Sequence, residues 1–517
     1  MLVAVVFLPL AGAGILGLFR YLAPDSSAPT RGLIGALAFV TAAVTLALTL
    51  ALWFSPQPAS GEVFSLGWEV RAPWIPQIGA EFLLGADGLS VVMLVLTAFL
   101  TVLGVLYTFA HWNEKSPSLL ALLLALETGM LGVFVAADLF LFFVFWEAML
   151  VPMYFLIGIH GGAERVRAAM KFVLFTMAGS ALLLAGILAL YWTSGAGTFA
   201  INALYRTPLE PAAATLLFFA FLIGFAVKVP LVPLHTWLPL AHTEAPTVGS
   251  AILAGVLLKM GTYGIFRLAM PLFPQAALEA QGLLLALSVI GIIYGALLAL
   301  AQSDVKKAIA YSSVSHLGFV TLGLASYQAA GVQGGLLQMV NHGLTTGGLF
   351  IMVGLLYERT HTRLFADYGG LQAITPRLAA AFLIIALASA GLPGLAGFVG
   401  EFLALSAAFA VSPWWGALGV LGVILAALYL LWIYQRVFHG RLVNESLRTL
   451  QDLNWAEALV VVPLIAAIVW IGVYPQPVLD RLEPPVQQVL AAMEADRGLT
   501  VSLEEPVQPA SAERGAK

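Results

Sequence analysis

Long apolar runs separated by brief polar stretches dominate this chain. Most are at or beyond the roughly 20 residues that cross a bilayer as a helix. Fourteen such runs fall at roughly 2–20, 32–54, 82–110, 118–136, 138–159, 168–193, 212–243, 246–270, 277–301, 305–325, 330–357, 377–410, 414–438 and 456–474. The pattern predicts an all-α polytopic membrane protein with 14 transmembrane helices. The seventh and twelfth runs are too long for one straight helix and carry Pro or Gly breaks. Backbone is interrupted at membrane depth only where protein or a water-filled cavity satisfies it. The two broken runs lie five spans apart, so spans 4–8 and 9–13 read as two inverted five-helix repeats, with broken helices 7 and 12. Matching interruptions in inverted halves point to a transport site at the midplane. The expected organisation is three N-terminal helices with an external loop (1–116), a first half-channel unit (117–271), and a second, inverted unit (272–440). A last helix (441–482) and a polar surface or disordered tail (483–517) follow.

Charge then sets orientation. Fourteen Lys and Arg residues lie at odd-numbered connections, Lys115, Arg165, Lys306 and Arg363 among them. Only Arg71, Arg206 and Arg267 lie at even-numbered ones. The positive-inside rule places the odd connections in the cytoplasm and both termini on the outer face of a bacterial cytoplasmic membrane. Residues 55–81 then form an external cap. Met1–Phe19 lacks a basic n-region and a small-residue cleavage pattern, so it reads as the first span. The chain is 61% hydrophobic and 10% charged, against about 25% charged in soluble domains. It has no cysteine, which excludes disulfides, thiolate metal sites and iron–sulfur clusters held by this chain. A net charge of −4 without a basic run argues against nucleic acid and leaves the lipid bilayer as the surrounding partner.

Against that background the intramembrane polar residues stand out. Glu147 is the one carboxylate in LFFVFWEAMLVPMYF. An isolated ion in hydrocarbon costs about 2.5 kcal/mol or more on insertion scales. Lys228 precedes Pro230 and Pro233, which remove backbone donors and open the helix; His235 and His242 lie just beyond. Lys259 sits deep in span 8, with Tyr263 one turn on. His316 has Ser312 four residues before it on the same face. His342 is followed by Thr345 and Thr346, and Glu401 follows the glycine-rich GLPGLAGFVG. Each has a structural reading: an ion-pair partner for Glu147, a satisfied core histidine for His316 or His342, a packing kink at the glycines. Glu127, Asp87 and Asp138 read as interface caps. Together, two acids, two lysines and several histidines on six helices provide what a proton relay needs. No carboxylate–histidine metal helix, phosphate-cradling loop or dinucleotide fingerprint is present. A Glu147–Lys228 pair at ~7 Å and effective ε ~20 is worth about 2.4 kcal/mol. That matches the cost of moving one proton across 100 mV, about 2.3 kcal/mol.

The stretches DLFLFFVFWEAMLVPMYFLIGI, KVPLVPLHTWLPLAHTEAPTVGSAILAGVLLKMGTYG, AYSSVSHLGF and GLPGLAGFVGEF resemble the antiporter-like subunits of respiratory complex I and of Mrp sodium/proton antiporters. Glu401, where other branches usually carry lysine, and the absence of a long lateral helix after span 14 make the resemblance M-type (mitochondrial subunit 4-like). The resemblance implies proton translocation coupled to NADH:quinone oxidoreduction, with Glu147 and Lys228 as the interacting pair of one half-channel. Lys259, His316 and His342 would continue the relay to Glu401, with His235, Ser312 and Tyr263 in support. It also implies that FMN, iron–sulfur clusters, NADH and quinone belong to other subunits, with no cofactor in this chain. L-type and N-type chains would flank it in the membrane arm. An Mrp-type antiporter subunit and a membrane hydrogenase arm are the related alternatives; a passive scaffold is the unrelated one. Glu147→Gln separates relay from scaffold: NADH-driven proton pumping should be largely lost in a relay and fully kept in a scaffold.

Overall fold

The computed structural model describes residues 1–22, 28–57, 61–442 and 444–495. Thirteen of its helices are long and apolar enough to cross a membrane, from Leu2–Phe19 to Trp455–Val473. The expected twelfth span is instead two shorter helices, Pro376–Ser389 and Ala396–Val411. The three spans of lowest mean hydropathy, Thr247–Leu272, Val305–Ala325 and Ala329–Thr360, are the most completely buried. In a bilayer this is the expected sorting: polar side chains turn into the bundle, and the most uniformly apolar faces meet lipid. The Arg165–Ser194 and Pro413–Phe438 helices are such outer elements, with Leu174, Met177, Ile424 and Leu428 exposed.

Interruptions cluster around the buried spans. Leu139–Ala148 and Leu150–His160 meet at Met149. Pro152 lacks the N–H that would bond Ala148, so the bend falls beside Glu147. The seventh span ends at Lys228, passes through turns and resumes as Leu238–Glu244. Trp237 Nε1 donates to Val227 O at 2.9 Å, closing part of the open helix end. The eighth contains two π-helical turns, Leu253–Leu257 and Ile265–Ala269, the kind of bulge that often marks functional sites. Between Ser389 and Ala396 the chain turns through Gly391 (φ 77°) and Gly394 (φ 89°), a left-handed backbone that favours glycine.

One face of the bundle differs from the expected loop and tail. Gly67–Ile75 and Ala80–Ala86 form an antiparallel hairpin in the region read as a cap. The polar tail expected from Glu483 is corrected as far as Ala495: a helix covers Gln476–Ala495. Val478, Leu482, Val486, Val489 and Met493 bury one stripe of it, at the spacing of an amphipathic helix. Gln488 Nε2 donates to Ser65 Oγ at 2.9 Å, tying it beside the hairpin. Pro484, Pro485 and the flanking acids mask this stripe in the sequence. The remainder of that tail lies outside the described residues.

Beneath the hairpin, Asp87 caps the Gly88–Ala110 helix by accepting from Ser90 N at 2.9 Å and pairs with Arg267. Both are buried, and the cap the sequence suggested for Asp87 is present. The guanidinium lies 4.1 Å from the Phe64 ring centroid. Removing one partner of a buried pair costs about 3–5 kcal/mol. Arg267→Met should therefore lower the thermal unfolding midpoint in detergent markedly, and Asp87→Leu added to it should restore part of the loss. An unchanged midpoint in the single variant would refute this role.

Candidate functional site

The two fully buried spans meet at the centre of the bundle. Lys259 Nζ donates to Ala254 O, a carbonyl in the first π-helical turn, and lies 2.5 Å from His342 Nδ1. Gly255 and Gly343, the residues after Ala254 and His342, let the helices approach closely: a Cβ on Gly343 would lie 2.8 Å from Gly255 O. Amine and imidazole cannot both be cationic at this separation. Two unit charges 2.5 Å apart repel by about 7 kcal/mol at effective ε ~20, three times the work of moving a proton through 100 mV, about 2.3 kcal/mol. The pair therefore holds at most one cationic charge, which either nitrogen can carry.

From His342 the file continues to His316, whose ring centroid is 5.9 Å away. His316 Nδ1 lies 3.1 Å from Glu401 Oε1. Its Nε2 faces the Tyr429 hydroxyl at 2.8 Å and Ser389 Oγ at 3.2 Å. With an ionised Glu401, Nδ1 donates to the carboxylate and Nε2 accepts from a hydroxyl. Gln338 Nε2 also donates to Glu401 Oε1 at 2.8 Å, and Asn341 Nδ2 donates to Gln338 Oε1 at 3.2 Å. Among the described residues Glu401 Oε2 and His342 Nε2 make no hydrogen bond, leaving one acceptor and one imidazole nitrogen open along the same path.

The remaining expected residues are distributed more loosely. Glu147 and Lys228 are electrostatic neighbours, but no ion pair closes between them among the described residues. Lys228 Nζ instead lies 3.9 Å from Met149 Sδ and 4.5 Å from the Trp146 ring centroid. Glu147 Oε1 is buried without a partner. His235 lies edge-on to Tyr294 at 5.6 Å, apart from the central file. Ser312 Oγ donates to Ile309 O at 2.7 Å and adjoins Tyr429. Tyr263 turns away from the relay, its hydroxyl donating to Phe134 O at 3.1 Å.

Several participants went unrecognised in the sequence. Tyr429, Ser389, Gln338 and Asn341 complete the surroundings of His316 and Glu401. Gln338 and Asn341 were detectable as amides in an apolar run, one turn or less before His342. Lys306, counted as a loop cation, is buried and donates to Ala245 O at 2.5 Å. His242, placed near a span end, is fully buried and stacks on Phe350 at 4.5 Å. Lys306 also lines a polar cavity of about 250 Å³, with His111, His160, Glu244, Glu358 and Arg363. Among the described residues no three potential metal ligands converge.

Residues 136–428 match the family described as NADH:quinone oxidoreductase/Mrp antiporter, TM. NADH-quinone oxidoreductase subunit M of Rhodobacter capsulatus is 42% identical over 506 residues, covering 96% of this chain and 97% of the relative. Its namesake from Escherichia coli (strain K12) is 42% identical over 459 residues, 86% of this chain and 90% of the relative. A chain of respiratory complex I from Thermus thermophilus with bound NADH superposes with a TM-score of 0.86 at 36% identity, covering 95% of this chain and all of that one. A chain of the Mrp complex from Dietzia sp. DQ12-45-1b reaches 0.80 at 23% identity, covering 95% and 98%, a likeness of fold alone.

Tyr429→Phe tests the geometry around His316 directly. Losing the 2.8 Å partner of Nε2 should destabilise the protein by about 1–2 kcal/mol, more than Ser389→Ala does. Equal thermal midpoints for Tyr429→Phe and wild type would show that the hydroxyl does not hold the ring.

Proposed function

This chain belongs to the family of NADH-quinone oxidoreductase subunit M, and we propose that within that complex Lys259, His342, His316 and Glu401 carry protons through the membrane. The observation that carries the reading is the direct contact of Lys259 with His342, continued through His316 to Glu401. Lys259 passes its proton to His342 Nδ1. His342 releases one from Nε2 towards His316, and His316 Nδ1 delivers one to Glu401. Proton number is conserved at each transfer, and each acceptor is left able to donate onward.

Glu147 and Lys228 bias the near end of this path. Their separation, with Glu147 unpartnered and Lys228 against Trp146, suits a pair that can close and open as charge arrives. Closing it stabilises both charges, and opening it lowers the proton affinity of Lys228. Residues 117–271 and 272–440 serve as the two half-channel units, a division supported by the matched interruptions after Lys228 and Ser389. The Lys/Arg-rich face, with its polar cavity, faces the cytoplasm, and the hairpin face lies outside with both termini.

In the complex, NADH oxidation and quinone reduction belong to other subunits, which supply FMN, iron–sulfur clusters and the quinone site. L-type and N-type chains flank this one in the membrane arm. The Mrp-type alternative is weaker on two counts. Glu401 accepts from Gln338 and faces His316, a setting built for a carboxyl rather than a lysine. Among the described residues no cluster of three or more carboxylates or histidines accompanies it.

The test uses the assembled complex, purified in mild detergent with its flavin and iron–sulfur subunits and reconstituted in vesicles. Lys259→Ala should cut NADH-driven proton transport by about a hundredfold or more, the scale of a lost proton-transfer group. Undiminished proton transport in that variant would refute the relay.

A further inference from the structure

Glu127 belongs to none of the contacts above, yet it is a fully buried acid halfway along the Ser116–Val135 helix. Neither carboxyl oxygen has a hydrogen-bond partner among the described residues. The polar side chain in interaction range is Thr101 of the Gly88–Ala110 helix. The Thr101 hydroxyl donates to Thr97 O at 3.0 Å, which leaves Glu127 without a committed donor. With the hydroxyl so engaged, an ionised carboxylate would have no donor and no paired cation among the described residues, the least favourable state for a buried acid.

The location gives this neutral acid a use. The polar cavity on the Lys/Arg-rich face is lined by Thr108, Leu119 and Val248. Below that layer Gly104 packs against Val248 and Leu123. Thr101 and Glu127 lie one helical turn deeper on the same two helices, about 5 Å further in. Continuing inward, Leu100 packs on Gly255, next to Ala254, and Leu96 packs on Gly343, next to His342. Ala254 and His342 are the two partners of Lys259. Glu127 therefore lies at a depth between the polar cavity and the Lys259–His342 contact.

We propose that Glu127 is a proton-loading residue, taking protons from the cytoplasmic-side cavity and holding them for the Lys259–His342 pair. The assignment rests on the relay reading above and adds a residue to it. Loading consists of a proton arriving at one carboxylate oxygen from the cavity; unloading passes it inward and leaves the carboxylate to be refilled at once. Glu127→Gln keeps the shape but cannot carry a proton.

The experiment compares wild type, Glu127→Gln, Glu127→Asp and Lys259→Ala in the assembled complex in vesicles. It reads NADH-driven proton uptake and the infrared band of the protonated carboxyl on exchange from H2O to D2O. Glu127→Gln should slow uptake by about tenfold and remove one exchangeable carboxyl band. Glu127→Asp should retain much of the uptake and shift the band. Wild-type uptake in Glu127→Gln, with uptake lost in Lys259→Ala, overturns the loading assignment alone; wild-type uptake in both overturns the relay with it. Should Glu127→Gln not assemble, an unchanged band and rate in Glu127→Asp overturn the assignment.

Discussion

The contact between the Lys259 amine and the His342 imidazole governs the centre of this protein. Two basic groups touch in the interior of a bundle, held by a backbone carbonyl that a π-helical turn presents. Mutual repulsion limits them to at most one cationic charge, so the pair acts as a single site with two exits. One exit leads through His316 to Glu401. Everything around the pair serves its geometry: glycines at 255 and 343 bring the helices together, and the least apolar spans are packed innermost.

Helix interruptions do the positioning. A bend at Met149 falls beside Glu147, an opened helix ends at Lys228, and a glycine turn precedes the helix of Glu401. At Met149 and at Lys228 the interrupted backbone is buried, where it can present groups that a regular helix keeps occupied. Gly391 illustrates how tight this is: a Cβ there would lie 3.0 Å from Glu401 Oε2. The family relationship places this chain in an NADH-driven complex, where the proposed relay would supply the proton path.

Much of this was legible in the sequence because the bilayer makes polar residues conspicuous. Lys259, His316, His342 and Glu401 stood out as titratable groups in apolar runs, and the Pro and Gly breaks marked spans 7 and 12. What stayed hidden depended on tertiary neighbours. Tyr429 and Ser389 are ordinary residues until a histidine faces them. Lys306 was counted as a loop cation and Glu127 as an interface cap because the sequence does not report burial. The Gln476–Ala495 helix was obscured by its prolines and acids, although its apolar stripe keeps a helical period. Glu147 and Lys228 are electrostatic neighbours, but helix proximity does not determine which way two side chains turn, and Lys228 turned to Trp146 and Met149.

The weakest join in the file is the 5.9 Å between the His342 and His316 rings, too long for a direct hydrogen bond between their nitrogens in this arrangement. An electron-microscopy map of the assembled complex that resolves ordered water tests it most directly. A relay requires water bridging the two imidazoles and an unbroken hydrogen-bonded line from Lys259 to Glu401. Apolar side chains closing that gap, with no density for water during turnover, would contradict it.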